Sequence, residues 1–171
     1  MSCVDVSKYK YLGHGKNGKV YLMPDGKVIK ICKREDRCLE EYKVLKIAEG
    51  SSYFPKVYER KGKNMIREYV DGYDLNTYIK KYGLSKNLVL NLIGMVEEFK
   101  KLGFKRLDMR GVHIYVTKDE KVKVIDPSMQ LIKTVKYPEL MIRDLKNLGV
   151  IGKFFNVLKD ERPDLYKKWS N

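Results

Sequence analysis

The sequence lacks any long apolar run, and this absence sets the first expectations. No stretch of the 171-residue chain approaches the about 18 to 20 uninterrupted apolar residues that a membrane-spanning helix needs. The opening residues, MSCVDVSKYKYLGHG, contain no apolar core of the kind found in a secretory signal peptide. We therefore expect a cytoplasmic protein with no membrane partner.

Cysteine is also scarce. The chain has three cysteines, Cys3, Cys32 and Cys38, an odd number without the spacing of a metal site. Reduced thiols are the simplest expectation for such a chain, and contact between Cys32 and Cys38 in space stays open.

Negative charge is in short supply, because 22 Asp and Glu stand against 36 Lys and Arg and leave a net charge of +14. Such a surplus favours polyanionic partners, among them nucleotide phosphates, RNA, the ribosome or an acidic protein. No five basic residues are consecutive, so the charge predicts an anionic partner without identifying it. The 43% apolar fraction and the 13 tyrosines supply a core for one compact domain or for two small lobes sharing a cleft.

The segment from Arg106 to Pro127, RLDMRGVHIYVTKDEKVKVIDP, is the one around which the chain is organised. Its apolar stretches, separated by a short polar turn, predict a β-hairpin. Pairing of the two strands would bring His113 and Asp126 to the same end of the hairpin, and Asp108 is close enough along the chain to loop back to that spot. Two carboxylates and one further ligand at one point suit a hard divalent cation that holds phosphates.

A second pattern lies near the start, where YKYLGHGKNGKV spaces Gly13, Gly15 and Gly18 as G-x-G-x-x-G. Without side chains in the way, backbone amides at such a turn approach phosphates closely. A predicted strand beginning at Val20 follows the glycines where the dinucleotide-binding motif has a helix, which excludes that version.

The elements that follow are predicted from apolar periodicity and from capping residues. They are a strand KVIKI carrying Lys30, a helix over residues 36–49, strands over 54–58 and 64–70, a short helix capped by Asp74 and reaching Tyr82, a longer helix from Lys86 to Leu102 capped by Ser85 and ended by Gly103, a helix from Pro138 through Leu158, and a last short helix opened by Pro163.

Taken in order, these segments resemble the eukaryotic-like (Hanks-type) protein kinase superfamily from about Tyr9 to Val150. The resemblance rests on the glycine-rich loop, the V-A-I-K strand, the hinge (here REYVDGYDL), the H-R-D-x-x-x-x-N loop at Asp108 to His113, and D-F-G at Asp126-Pro127-Ser128. The chain is too short for the long activation segment and lower helices of ordinary protein kinases. It is therefore most similar to minimal, RIO-like kinases and short bacterial serine/threonine kinase-like proteins.

The resemblance implies an α+β, kinase-like bilobal fold. A single minimal kinase domain would span residues 1–171, with an antiparallel-sheet N-lobe over 1–70 and a truncated, mainly helical C-lobe over 71–171.

The same resemblance implies a role for each matching residue. Asp108, Arg110 and Lys30 would be catalytic, His113 and Asp126 would bind Mg²⁺, and ATP would be bound by Gly13, Gly15, Gly18, Val20, Lys30, Glu41, Glu68 and Val70. Glu41, with Glu40 as the alternative, would pair with Lys30, and the hinge backbone around Glu68 to Val70 would bind the adenine edge. Asp144, in DLKNLGV, resembles the aspartate that holds the backbone of the catalytic loop.

Three departures from the family pattern affect these expectations. His113 replaces an asparagine, which suggests tolerance of Mn²⁺, a single-metal site, or a hydrogen bond to Asp108. Arg67 would lie at the back of the adenine pocket, where a charged side chain must be paired with a carboxylate or displaced into solvent. Leu107 removes the arginine of H-R-D, in keeping with no activation-loop phosphorylation switch.

The expected function is transfer of phosphate from ATP to a serine or threonine of a protein. Two other readings stay open. One is a pseudokinase, a nucleotide-binding or scaffolding module that docks on an anionic partner; the other is a small-molecule kinase. An RNA- or ribosome-associated ATPase has the net charge as its only support.

Overall fold

The computed structural model describes residues 4–127 and 129–170, so Cys3 and Ser128 lie outside the described residues. It is an α+β structure with antiparallel sheets and several helices, as predicted. The chain divides into two compact units, one comprising the residues up to Gly50 with Pro55–Tyr69, the other Ser51–Phe54 with the residues from Val70 onward. Among the described residues, no helix combines the length and the apolar character needed to cross a membrane.

The first unit is a five-stranded antiparallel sheet with one helix. Its strands are β1 (Lys10–Gly15), β2 (Gly18–Leu22), β3 (Lys27–Cys32), β4 (Val57–Lys61) and β5 (Asn64–Glu68), in the order β1-β2-β3-β5-β4. Helix α1 (Glu35–Ile47) buries Cys38, Glu41, Val44 and Leu45, which recur at helical spacing on one face. Strand β3 supplies the middle of the core, because Val28, Ile29 and Lys30 are at most 2% exposed.

The strand predicted over residues 54–58 is displaced along the chain. Strand β4 begins at Val57, two residues after Pro55, which has no N–H to donate to a strand ladder. Strand β5 ends at Glu68, two residues before the predicted limit.

The second unit is mainly helical around a small sheet. Its elements are β6 (Tyr73–Asp74), α2 (Leu75–Tyr82), α3 (Lys86–Lys101), a 3₁₀ helix (Gly111–His113), β7 (Ile114–Val116), β8 (Val122–Val124), α4 (Glu139–Asn147), α5 (Ile151–Glu161) and α6 (Pro163–Trp169). The predicted hairpin is present as β7 and β8, which pair in antiparallel register. Strand β6, which was not predicted, pairs with β7 on its other side.

The predicted helix caps in this unit are confirmed. The side chain of Asp74 accepts hydrogen bonds from the backbone N–H groups of Asn76 and Thr77, and Ser85 Oγ accepts one from Leu88 N. At the other end of α3, Gly103 follows the helix and Phe104 turns back so that its ring lies 5.9 Å from that of Phe99.

The single helix predicted from Pro138 through Leu158 is wrong. The structure has two helices, α4 and α5, separated at Gly149, whose φ of 72° lies in the left-handed region that favours glycine. The N–H groups of Gly149 and Val150 donate to the carbonyls of Lys146 and Leu145, which closes α4 with a Schellman motif. Apolar periodicity continues across this break, so it does not reveal the end of the helix.

Candidate functional site

The core of the first unit contains a buried ion pair. Lys30 Nζ lies 2.6 Å from Glu41 Oε2, and the two side chains are 1% and 4% exposed. The pairing follows from local structure, because alternation along β3 turns Lys30 toward α1 and helical spacing turns Glu41 toward the sheet. The sequence left Glu40 as an alternative partner, but Glu40 binds Arg37 on the surface.

Two thiols lie beside this ion pair. Cys32 follows Lys30 by two residues on β3, Cys38 precedes Glu41 by three residues on α1, and both thiols are free and buried. A hydrogen bond between them raises the pKa of Cys32 and lowers the pKa of Cys38. The contact that the sequence left open is therefore made, without a disulfide.

The glycine segment forms a tight hairpin between β1 and β2. Gly15 pairs with Gly18 across a two-residue connection, and Gly13 pairs with Val20 beside a bulge. Gly18 has a structural requirement of its own, because a Cβ there would lie 2.3 Å from the carbonyl oxygen of Ile31 on β3. Close strand packing therefore accounts for Gly18 whether or not the hairpin binds phosphate.

Some backbone groups of the predicted hinge already form hydrogen bonds within the protein. Glu68 N–H donates to Lys56 O at 2.8 Å, and Glu68 O accepts from Arg67 Nη1 at 3.0 Å. The N–H of Glu68 is therefore not open to an adenine edge, and its carbonyl already accepts one hydrogen bond. Val70, in contrast, has no protein hydrogen bond to its backbone within the described part of the chain. Val70 itself is 6% exposed.

The expectation for Arg67 is wrong. Its side chain is 5% exposed, so it is not displaced into solvent, and among the described residues it has no carboxylate partner. The guanidinium instead donates to the neighbouring carbonyl of Glu68. A backbone oxygen thus takes the place of the predicted carboxylate.

In the second unit, Asp108 is turned into the protein. It is 2% exposed, and its Oδ1 accepts the N–H of Leu140 at 2.9 Å, in the first turn of α4. Burial raises the pKa of this carboxyl, against the opposing effect of the Leu140 hydrogen bond and of the nearby Arg106 charge. Asp108 therefore caps a helix that belongs to a distant part of the sequence.

His113 and Asp126 lie at the same end of the β7–β8 hairpin. Ile114 pairs with Val124, and Ile125 N–H continues the ladder by donating to His113 O at 2.9 Å. Asp126 comes next with a φ of 53°, an unusual value for a residue other than glycine. Arg110 is exposed and accepts the N–H of His113 on its backbone carbonyl.

The predicted convergence of Asp108 with these two residues is not seen. Within residues 4–127 and 129–170, no three His, Cys, Asp or Glu side chains form a group able to hold a metal ion. The physical reason is that the Asp108 carboxylate points to the start of α4. The donors left at the hairpin end are one imidazole and one carboxylate.

Asp144 holds the loop after Asp108, as predicted. Its Oδ2 accepts the N–H of Gly111 at 2.8 Å, which fixes the start of the 3₁₀ helix that leads to His113. This prediction is confirmed.

Two further positioning residues were missed from the sequence. Glu120 anchors the hairpin tip to the start of α3, because its carboxylate accepts from Ser85 Oγ at 2.7 Å and Asn87 Nδ2 at 2.8 Å. Gln130 is fully buried, and its backbone carbonyl accepts the N–H groups of Lys105 and Arg106. Glu120 lies in the polar turn TKDEK and Gln130 in the short segment MQLI, and neither segment has a periodicity that marks the residue.

Comparison with known proteins adds no family to this description. No protein-family model matches the chain, and no curated protein does.

Proposed function

We propose that this protein is an ATP-dependent phosphotransferase that transfers the γ-phosphoryl group of ATP to a serine or threonine hydroxyl of a protein. The proposal includes a kinase-like bilobal fold, with the first unit as N-lobe and the second as a truncated C-lobe. The observation that carries it is the buried ion pair between Lys30 and Glu41.

A buried ion pair is weak support for stability, since removing two charges from water costs about as much as their attraction returns. Apolar side chains of similar volume on β3 and α1 would fill the same space without that cost. A lysine on the third strand, held by a helix glutamate, is the arrangement with which kinases bind the α- and β-phosphates of ATP. The pair therefore favours a nucleotide function over a purely structural one.

The donors at the hairpin end fit a metal ion that accompanies the nucleotide. Asp126 offers oxygen and His113 offers nitrogen, a set that suits Mn²⁺ better than Mg²⁺ because Mg²⁺ prefers oxygen ligands. Such an ion would offset the negative charge of the ATP phosphates. Arg110, exposed two residues after Asp108, would add a further charge toward the transferred group.

The burial of Asp108 favours a second candidate function. A general base must come within hydrogen-bond reach of the hydroxyl group that accepts the phosphoryl group. The Asp108 carboxylate is 2% exposed and caps α4, so it does not reach a substrate hydroxyl at the protein surface without moving. A nucleotide-binding scaffold without phosphotransfer requires no such movement. The two candidates share the Lys30 site and differ in the role of Asp108.

Incubation with γ-labelled ATP distinguishes the kinase from the nucleotide-binding scaffold. Wild type, Asp108→Asn and Asp126→Asn are compared with Mg²⁺ and with Mn²⁺, and Asp160→Asn, an exposed site on α5, serves as the matched control. Asparagine at position 108 retains an oxygen that accepts the Leu140 N–H, so the variant removes the base and keeps the cap. Transfer in wild type and the control, lost in both site variants, supports the kinase.

A thermal-shift arm tests nucleotide binding independently of transfer. The rise in melting temperature caused by ATP is measured for wild type and for Lys30→Met, each against the same protein without ATP, so that any loss of stability in the variant cancels. ATP stabilisation of wild type alone, with no transfer under either metal, supports the scaffold. No ATP stabilisation of wild type contradicts both candidates.

A further inference from the structure

The second unit contains a basic groove that the proposed nucleotide chemistry does not use. It lies along the C-terminal half of α3, the following segment to Leu107, and α6, and has a volume of about 590 Å³. We define the basic groove by the five lysines of its lining, Lys100, Lys101, Lys105, Lys136 and Lys168, all of them exposed. None of the residues proposed to bind ATP or metal lines it.

The positive charge of the basic groove is not compensated by its own acids. The lining contains two carboxylates, Glu97 and Asp164, and both are bound by Arg162. Lys101 lies 3.8 Å from Glu98 and remains 79% exposed. The other four lysines form no ion pair within the described part of the chain. The groove thus presents several unneutralised ammonium groups around one concave surface.

The wall between the lysines is apolar and aliphatic where it is accessible. Leu107 and Leu165 are partly exposed, whereas the aromatic members of the lining, Phe104 and Trp169, are each 5% exposed. Single-stranded nucleic acids bind through exposed aromatic faces on which bases stack. Accessible leucines flanked by lysines instead suit a chain that carries both carboxylates and aliphatic side chains.

We propose that the basic groove binds an acidic peptide segment of a partner protein, with aliphatic side chains against Leu107 and Leu165 and carboxylates among the lysines. Its volume falls in the range of about 300 to 1,000 Å³ that is typical of ligand-binding clefts. Opposite charge also speeds association and selects against basic partners. The inference stands independently of the proposed phosphotransfer.

The test measures fluorescence anisotropy of a labelled peptide of glutamate and leucine. The groove variant carries Lys105→Glu with Lys136→Glu. The matched control carries Lys118→Glu with Lys153→Glu, which are also exposed, lie in the same unit outside the groove, and change the net charge by the same amount. We expect about tenfold weaker binding in the groove variant and less than about twofold change in the control.

Further measurements could contradict the proposal. A peptide of glutamate and serine should bind more weakly than the peptide of glutamate and leucine. The variant Lys105→Gln with Lys136→Gln removes the two charges without reversing them, so it should lose an intermediate amount of affinity. It replaces the glutamate variant if charge reversal impairs folding. Equal weakening in groove and control variants would show attraction by overall charge and overturn the site. Tighter binding of a labelled poly(U) oligonucleotide through the same lysines would overturn the peptide as its occupant.

Discussion

The two units each bury an acidic side chain at a position that the sequence singled out, but they stabilise it in different ways. In the first unit, Glu41 faces the ammonium of Lys30 at 2.6 Å. In the second unit, Asp108 faces the backbone N–H of Leu140 at the start of α4. One carboxylate faces a formal positive charge, and the other accepts a hydrogen bond from a backbone N–H in the first turn of a helix.

This difference separates the two units chemically. The Lys30–Glu41 pair holds a cation in place, which is what binding of phosphates requires. Asp108 contributes to the packing of α4, and burial disfavours its charged form. The first unit thus fits the proposed nucleotide role better than Asp108 in the second unit fits the proposed phosphotransfer, and three measurements test how far this contrast holds.

The largest effect is expected from breaking the buried pair. Lys30→Met leaves the Glu41 carboxylate buried without its ammonium, which should lower the free energy of unfolding by about 3–5 kcal/mol. Denaturation in urea, followed by circular dichroism, measures this loss. The double variant Lys30→Met with Glu41→Leu should regain most of the stability, because neither charge then remains to be desolvated.

An exposed pair on the same unit provides the control. Lys46 Nζ also lies 2.6 Å from a carboxylate, Glu49 Oε2, but the two side chains are 43% and 49% exposed. Lys46→Met should cost about 0–1 kcal/mol, because water already screens both charges. If Lys30→Met and Lys46→Met had the same effect, burial would not distinguish the two pairs and the contrast between the units would fail.

A middle-sized effect is expected where an aspartate holds a single amide in the second unit. Asp144→Ala removes the acceptor for Gly111 N–H, which should lower the free energy of unfolding by about 1–3 kcal/mol because that N–H is left unsatisfied. The same urea titration measures it. Asp144→Asn retains an acceptor oxygen and should lose less, and an alanine variant as stable as wild type would mean that Gly111 finds another partner.

Local patterns were sufficient for the parts of the fold that depend on neighbouring residues. The hairpin that brings His113 and Asp126 to one end follows from alternation over a short span, and the caps Asp74 and Ser85 follow from side-chain chemistry next to a helix. Lys30 and Glu41 are separated by eleven residues. Their pairing was expected from the family resemblance, which left Glu40 as an alternative, and the buried face of α1 selects Glu41.

The errors arise where distant segments decide the outcome. Asp108 meets Leu140 because the segment after Asp126 folds back, with Val135 hydrogen-bonded to Lys105 and Leu107, and no local pattern predicts that reversal. The burial of Arg67 beside a backbone carbonyl depends likewise on β5 being an inner strand of the sheet. Helix capping by a residue from elsewhere in the chain leaves no periodic signal.

The smallest effect, and one of opposite sign, is expected for Asp108→Asn. Burial raises the folded-state pKa of Asp108 above its ordinary value of 3.8. As pH rises from below 3.8 through the folded-state pKa, the unfolded chain loses this proton first, so Asp108 lowers the stability of wild type across that window. Asparagine keeps an acceptor for Leu140 and cannot ionise, so the variant should escape this loss.

Urea titrations of wild type and Asp108→Asn at a series of pH values measure the difference directly. The two proteins should be close in stability below the ordinary aspartate pKa, and the variant should become the more stable one as pH rises, with a constant difference above the folded-state pKa. Asp160→Asn, at an exposed site, serves as the control for the loss of one carboxylate. If Asp108→Asn instead lost stability with rising pH, the ionised carboxylate would stabilise the start of α4, and Asp108 would resemble Glu41 in gaining from its charge.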